Sequence, residues 1–187
     1  LNSVIAMYAG IDCIDTCITP FAGGPSHSPV EVLIVFAEEM GIEHGLDKAL
    51  ILKIQQELFK IFDELDDQEL GLIAKIAKTE ELGKDAILTR AGKPAAQLYL
   101  VVRGSVTIMT PGPGDTEMRV DEVGPGQIVG WSTLTGPYIY TATTMTAEES
   151  TLIVIGGSKL REIFELNNHI GYRVLKGIGY IVARRMA

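Results

Sequence analysis

The residues of this chain that could do covalent or metal chemistry are few and badly spaced for it. Cys13 and Cys17 are its only cysteines, four apart, with no second pair and no histidine near enough to complete a tetrahedral zinc set. They read as core residues of a reducing compartment. His27 follows the turn-rich loop Pro20-Phe21-Ala22-Gly23-Gly24-Pro25-Ser26 as a lone histidine and reads as a solvated loop residue rather than a catalytic one. No metal or nucleophile constellation emerges, so no enzyme activity and no cofactor are expected. What remains is binding chemistry. Val129-Gly130-Trp131-Ser132-Thr133-Leu134 sets two hydroxyls beside an indole, and Tyr138, Tyr140 and Met145 follow closely. No Lys or Arg occurs from Val120 to Ser158. A pocket built from these residues suits a flat ligand of low charge.

The elements that must carry this loop are short and β-rich. Leu98 to Val102 and Val106 to Met109 are dominated by β-branched and aromatic residues, and Arg103-Gly104-Ser105 between them has hairpin turn chemistry. Met118 to Val123 and Ile128-Val129 are separated by Gly124-Pro125-Gly126, and Thr141 to Thr146 precedes Thr151 to Ile155. Strands so short and so regularly spaced predict a closed or a double-sheet antiparallel fold.

The order of these pieces resembles the cyclic-nucleotide-binding domain of the catabolite activator family and of the regulatory subunits of cyclic-nucleotide-dependent kinases. The resemblance runs from about Phe62 to Met186. It takes in a lead-in helix (Asp66 to Ala77), the turn Arg90-Ala91-Gly92-Lys93, the Leu-Tyr-Leu-Val-Val-Arg-Gly run, Gly124 to Gly130, a Thr-rich strand and two C-terminal helices. It implies a mainly β fold with flanking helices, a cupin-like antiparallel β-roll (jelly roll), preceded by a mostly helical N-terminal segment. It also implies a phosphate-binding cassette from Gly130 to about Thr143, a short helix whose free N–H groups hold the cyclic phosphate.

The ligand-binding residues carried over are Val129, Gly130, Trp131, Ser132, Thr133, Leu134, Tyr140, Thr141, Ala142, Thr143 and Met145. Trp131 stands where the family has the ribose-binding Glu, and the position of the phosphate-binding Arg falls near Thr141. Loss of a charge-assisted pair to a buried anion costs about 1.5–3 kcal/mol. A non-standard small ligand, or an empty and structurally retained domain, is therefore expected rather than a cyclic nucleotide.

Composition sets further bounds. With 24 acidic and 16 basic residues the net charge is −8, which offers no broad cationic surface to a nucleic-acid backbone. The chain reaches Ala187 without room for a helix-turn-helix after its last helix, so no DNA binding by this chain alone is expected. No Lys or Arg precedes Lys48, unlike the charged start of a signal peptide, and Val32 to Ala37 is too short an apolar run to span a bilayer. A cytoplasmic location without membrane association follows as the expectation.

Composition shifts between Ile61 and Asp67, which divides the chain into residues 1–62 and 63–187. In the first part Val4 to Tyr8 and Ile14 are apolar helix and strand material, and Ser28-Pro29-Val30-Glu31 reads as a helix start with Ser at the cap and Pro in the first turn. The run Ala9 to Pro29, with Gly45-Leu46-Asp47 and the helix Lys48 to Phe62 after it, resembles a fragment of the carboxyltransferase barrel of pyruvate carboxylase and the oxaloacetate decarboxylase α-subunit. The His-x-His metal pair of that family does not occur before Ala9, and a few βα units cannot close a barrel around an active site. Such a segment is a remnant or fusion, and its resemblance implies carboxylase or decarboxylase subunits as partners of a structural or regulatory module.

Ile51, Ile54, Leu58 and Ile61 form an apolar helical stripe that needs a surface to cover it. Leu160, Ile163 and Phe164 mark a helix after the last strand. Ile170, Val174, Leu175, Ile178, Ile181 and Val182 mark a longer one, which in the resembling family is the dimer seam or the ligand lid. A homodimer through this helix is expected; its basic residues Arg173, Lys176, Arg184 and Arg185 read as solvated charges near a helix C-terminus, the alternative being that Arg184 or Arg185 reaches a neighbour's cassette. Gly171, Gly177 and Gly179 make it bendable.

Overall fold

The structure, a computed structural model, describes residues 16–17, 28–62 and 65–185. Cys13, His27, Val4 to Tyr8 and Pro20 to Ser26 lie outside the described residues, as do the side chains of Leu58, Arg184 and Arg185. The elements in chain order are β1 (Thr16–Cys17), β2 (Ser28–Pro29), α1 (Val30–Glu39), α2 (Lys48–Phe62), α3 (Asp67–Ala74), β3 (Ala77–Leu82), β4 (Ile87–Thr89), β5 (Gln97–Arg103), β6 (Val106–Pro111), β7 (Glu117–Val123), β8 (Ile128–Val129), β9 (Thr143–Thr146), β10 (Ser150–Gly156), α4 (Gly157–Leu166) and α5 (Asn168–Arg185). Ser28 and Pro29 belong to β2, paired in parallel with β1, so the first helix begins one residue after the proline rather than around it.

α3 starts where the sequence supplies a capping box. The Asp66 carboxylate accepts from the Gln68 and Glu69 amides, and Glu69 Oε2 accepts from the Asp66 amide at 3.1 Å. The eight strands from β3 to β10 form two separate four-stranded antiparallel sheets, ordered β3-β10-β5-β8 and β4-β9-β6-β7. The expected closed β-roll or jelly roll is therefore incorrect. The fold is a mixed α/β arrangement of two open sheets, and no strand is shared between them to close the seam.

The reason lies in a turn. Arg103-Gly104-Ser105 was expected to close a hairpin, yet β5 pairs with β10 and β8 while β6 pairs with β7 and β9. Gly104 hands the chain from one sheet to the other. Its φ is +83°, and a Cβ there would meet Ser150 Oγ at 2.3 Å and the Glu149 carbonyl oxygen at 2.6 Å, so only glycine fits the corner.

Strand alternation divides the core in two. Tyr99 and Val101 of β5, Leu152 and Val154 of β10, and Val106, Val123 and Val129 pack between the sheets. Leu98, Leu100 and Ile155 point the other way, toward the helices. There they meet Ile54, Ile61 and Phe62 of α2 and Ile170, Val174, Ile178 and Ile181 of α5. Ile54 and Ile61 of the α2 stripe are thus covered by the first sheet and by α5. Among the described residues no helix is long and apolar enough to cross a membrane.

Candidate functional site

The loop that follows β8 turns on Gly130, whose φ of +80° puts it in the left-handed region. A Cβ there would lie 2.6 Å from the Gln97 carbonyl oxygen, so a side chain is excluded both by conformation and by space. The helix expected from Gly130 to about Thr143 is one 3-10 turn, Trp131–Thr133, closed by Thr133 N–H to Gly130 O at 3.1 Å and Leu134 N–H to Trp131 O at 3.0 Å. So short a turn carries little of a helix macrodipole.

Two neighbouring hydroxyls in this turn have opposite fates. Thr133 is fully buried, and its Oγ1 donates to the Ala95 carbonyl at 3.0 Å. The Arg161 guanidinium, from α4, donates to the Thr133 carbonyl and lies 4.4 Å from the centre of the Tyr138 ring. Gly157, at the start of α4, abuts Thr133 so closely that a Cβ would fall 1.7 Å from Oγ1. Thr133 is therefore a junction between the loop and α4.

Ser132 instead lines a cavity of about 50 Å³, together with Thr89, Ile108, Val129, Gly130, Trp131, Tyr140, Thr141, Ala142 and Thr144. Only 8% of Ser132 is exposed, and among the described residues its hydroxyl has no hydrogen-bond partner. A buried hydroxyl in that state calls for a bound water or ligand. The cavity wall carries no ionisable acid or base other than the Tyr140 phenol.

Three of the other hydroxyls around the cavity, those of Thr89, Thr144 and Tyr140, are already engaged, while Thr141 is exposed. Thr89 Oγ1 lies 2.9 Å from both the Ala142 carbonyl and Thr144 Oγ1, so Thr89 donates to the carbonyl and Thr144 donates to Thr89. The Tyr140 hydroxyl accepts from the Ala96 and Gln97 amides at 3.1 and 2.8 Å and donates to the Gln97 carbonyl at 2.9 Å. Tyr140 presents only its ring to the cavity and ties the loop to the start of β5. Behind it, Tyr99 donates toward Gln97 Oε1 at 2.6 Å and the Leu88 carbonyl at 3.0 Å. Burial, with Tyr140 and then Glu80 adding to it, pushes the Tyr99 phenol up to about 12, so it stays neutral.

Of the residues expected to bind ligand, Val129, Gly130, Trp131, Ser132, Tyr140, Thr141 and Ala142 are brought together on this cavity. The other four lie off it. Thr133 faces α4, Leu134 belongs to the helical core, Thr143 accepts from the Ala91 amide, and Met145 is half-buried on β9 opposite Thr107. Trp131 lines the cavity and also packs on the helical core. Sequence reasoning missed Thr89, Ile108 and Thr144, which arrive through sheet pairing. It also missed Arg161, the second basic residue after the stretch without Lys or Arg that ends at Ser158, which only the turn into α4 returns to the loop. Among the described residues no cluster of three metal-ligating side chains forms.

Comparison with known proteins agrees with the geometry of the second part of the chain. Residues 79–167 match the cyclic nucleotide-binding domain family. A cyclic nucleotide-binding protein of Geobacter metallireducens GS-15 superposes with a TM-score of 0.63 at 26% identity, over 71% of this chain and 96% of that one. A cyclic nucleotide-binding-like protein of Brucella abortus gives 0.51 at 27%, over 59% and 96%. The sensor domain of a transcriptional regulator of Pseudomonas aeruginosa gives 0.57 at 19%, over 75% and 95%, a likeness of fold alone.

Among curated proteins, a 4-hydroxy-2-oxovalerate aldolase of Dechloromonas aromatica is 29% identical over 104 residues, 53% of this chain and 29% of the aldolase. The 2-oxoglutarate carboxylase large subunit of Hydrogenobacter thermophilus is 29% identical over 79 residues, 41% of this chain and 12% of that subunit. The chain thus spans less than a third of these relatives.

Proposed function

We propose, from the premise that this chain carries a regulatory sensor domain of the cyclic-nucleotide-binding type, that the domain is non-catalytic and senses an uncharged, planar small molecule in the cavity beside Trp131. The observation that carries this reading is the Ser132 hydroxyl, buried and without a hydrogen-bond partner among the described residues, on a cavity wall with no Lys, Arg, Asp or Glu. An anionic phosphate would find no charge-assisted partner there, whereas a neutral ring could stack near the indole and exchange one hydrogen bond with Ser132. About 50 Å³ holds a few waters, so a ligand must widen the site. Widening would displace Trp131, and with it the helical core against which the same indole packs. Occupancy then shifts α5 to the extent that the ligand favours one position of the turn over another.

Trp131 is the only tryptophan in the chain, so its fluorescence reports on the site directly. Titration with cyclic AMP and cyclic GMP should give no saturable change up to about millimolar, a range set by the missing ion pair. Adenosine and adenine, as uncharged planar probes, should give a saturable change that Ser132→Ala removes. Micromolar binding of a cyclic nucleotide, or indifference to every planar probe together with an unaltered Ser132→Ala protein, would overturn this reading.

A second reading has its own observations. The parallel β1–β2 pair leading into α1 is strand–helix chemistry of the α/β kind, and the aldolase and carboxylase likenesses point to enzymes whose metabolites are oxo acids. On this reading residues 1–62 descend from such an enzyme and the domain at 63–187 regulates or braces a carboxylase or decarboxylase complex. Co-purification of carboxylase subunits with the full chain, lost on deleting residues 1–62, would support it.

A further inference from the structure

The two open four-stranded sheets end in the edge strands β3, β8, β4 and β7, and these edges are not alike. β8 is two residues long and buried, and β4 is three residues long with a register shift against β9. β7 carries a bulge opposite Ile108 and Met109, a device that bends an edge out of reach of another strand. β3 has none of these protections of shape. Its six residues run in unbroken register along β10, from Ala77 opposite Ile155 to Leu82 opposite Ser150. Among the described residues no strand covers its outer side, and Lys78, Thr79, Glu80 and Glu81 are all exposed.

This edge carries charge in a particular order. Neither Lys78 nor Glu80 makes an ion pair or a side-chain hydrogen bond with another described residue. Strand alternation sets Lys78 and Glu80 on one face, with Ala77, Thr79 and Glu81 on the other. If two copies pair β3 with β3 antiparallel about a twofold axis, each face stays on its own side of the sheet, so opposite residues must come from the same face. A register centred on Lys78 sets the two ammonium groups against each other, and one centred on Glu80 sets carboxylate against carboxylate. The register between them, centred on Thr79, pairs Thr79 with the partner's Thr79 and Lys78 with the partner's Glu80 on both sides of the axis, and leaves Ala77 opposite the partner's Glu81.

We infer that β3 is a self-pairing edge: a second copy of this chain adds its own β3 antiparallel in the register centred on Thr79, and the first sheet continues from one copy into the other. The main-chain ladder supplies the attraction, and the cross-strand Lys78–Glu80 pairs with the central threonine pair select the register. The charges that would repel a strand in the neighbouring registers favour it in this one. One short ladder buries less than the roughly 1,200 Å² of a stable interface, so the pair is weak and reversible.

Sedimentation velocity of the full chain from about 10 µM to about 1 mM, a range suited to so small an interface, tests this. The wild-type chain should associate as its concentration rises. Lys78→Glu and Glu80→Lys each turn both attractive cross-strand pairs into like-charge pairs, and each should weaken association roughly tenfold. Both side chains are exposed, so both variants should fold, which circular dichroism checks. An equimolar mixture of the two variants should recover the wild-type affinity, because the acidic edge of one then faces the basic edge of the other. A wild-type chain still monomeric at the highest concentration would overturn the inference and leave the edge to solvent or to another partner. A dimer whose affinity neither variant alters would also overturn it, that being the result expected of a seam on α5.

Discussion

Replacing Gly157 by Ala tests the junction between the loop after β8 and α4. The added Cβ would lie 1.7 Å from Thr133 Oγ1, 2.9 Å from Thr133 Cβ and 3.1 Å from Cγ2. Because both γ branches and Cβ itself are in the way, rotating χ1 of Thr133 exchanges one clash for another, and Thr133 is fully buried. The helix start or the turn must move by about 1 Å or more, at the cost typical of overpacking a filled site, roughly 1–3 kcal/mol. That movement also stretches the Arg161 bond to the Thr133 carbonyl, which adds about 1 kcal/mol or more. The expected loss is thus about 2–4 kcal/mol, a fall in Tm of roughly 5–15 °C for a chain of this size. Urea unfolding followed by Trp131 emission and by far-ultraviolet circular dichroism gives the value. Thr133→Ala removes Oγ1 and Cγ2, so the double variant should be at least about 1 kcal/mol more stable than the two single losses summed. A loss below about 0.5 kcal/mol for Gly157→Ala, or strict additivity in the cycle, would show that the contact does not hold α4 to the loop.

Tyr140→Phe should cost about 1–3 kcal/mol in urea unfolding, because the Ala96 and Gln97 amides lose their shared acceptor. The variant should also quench or shift Trp131 emission as the loop loosens. Since the Tyr99 phenol rises to about 12 from an unfolded value near 10, the native state keeps a proton that the unfolded chain has lost. Stability is accordingly full below pH 10 and falls as pH rises from 10 through 12, and Tyr99→Phe should flatten that limb of a pH–stability curve. Asp66→Ala removes the capping box of α3 and should lower stability by about 0.5–2 kcal/mol, measured in the same unfolding assay.

The strands of residues 97–156 were legible because β-branched runs alternate with glycine turns, and β6, β7, β8 and β10 fall within a residue or two of their expected places. The pairing was not. A glycine of positive φ serves equally well in a hairpin and in a corner between sheets, so Gly104 could not tell the sequence reader which it was. β3 was invisible because Lys78, Thr79, Glu80 and Glu81 face solvent on an edge strand and show no apolar alternation. In the candidate site, Ser132 and Thr133 were adjacent letters of the same chemistry. Only the turn geometry decides that one faces the cavity and the other α4, and only folding brings Thr89 and Thr144 across the sheet to complete the wall.

The open seam between the two sheets has a mechanical consequence. A closed sheet resists expansion through its ladder hydrogen bonds, which must lengthen together if the interior grows. Here the walls of the cavity belong to separate ladders, linked beside it by the Tyr99 and Tyr140 hydroxyls and by the Pro94–Ile139 bridge. Swelling would strain side-chain contacts while each ladder keeps its own register, which makes the resting volume of the cavity a poor guide to the largest molecule it can admit.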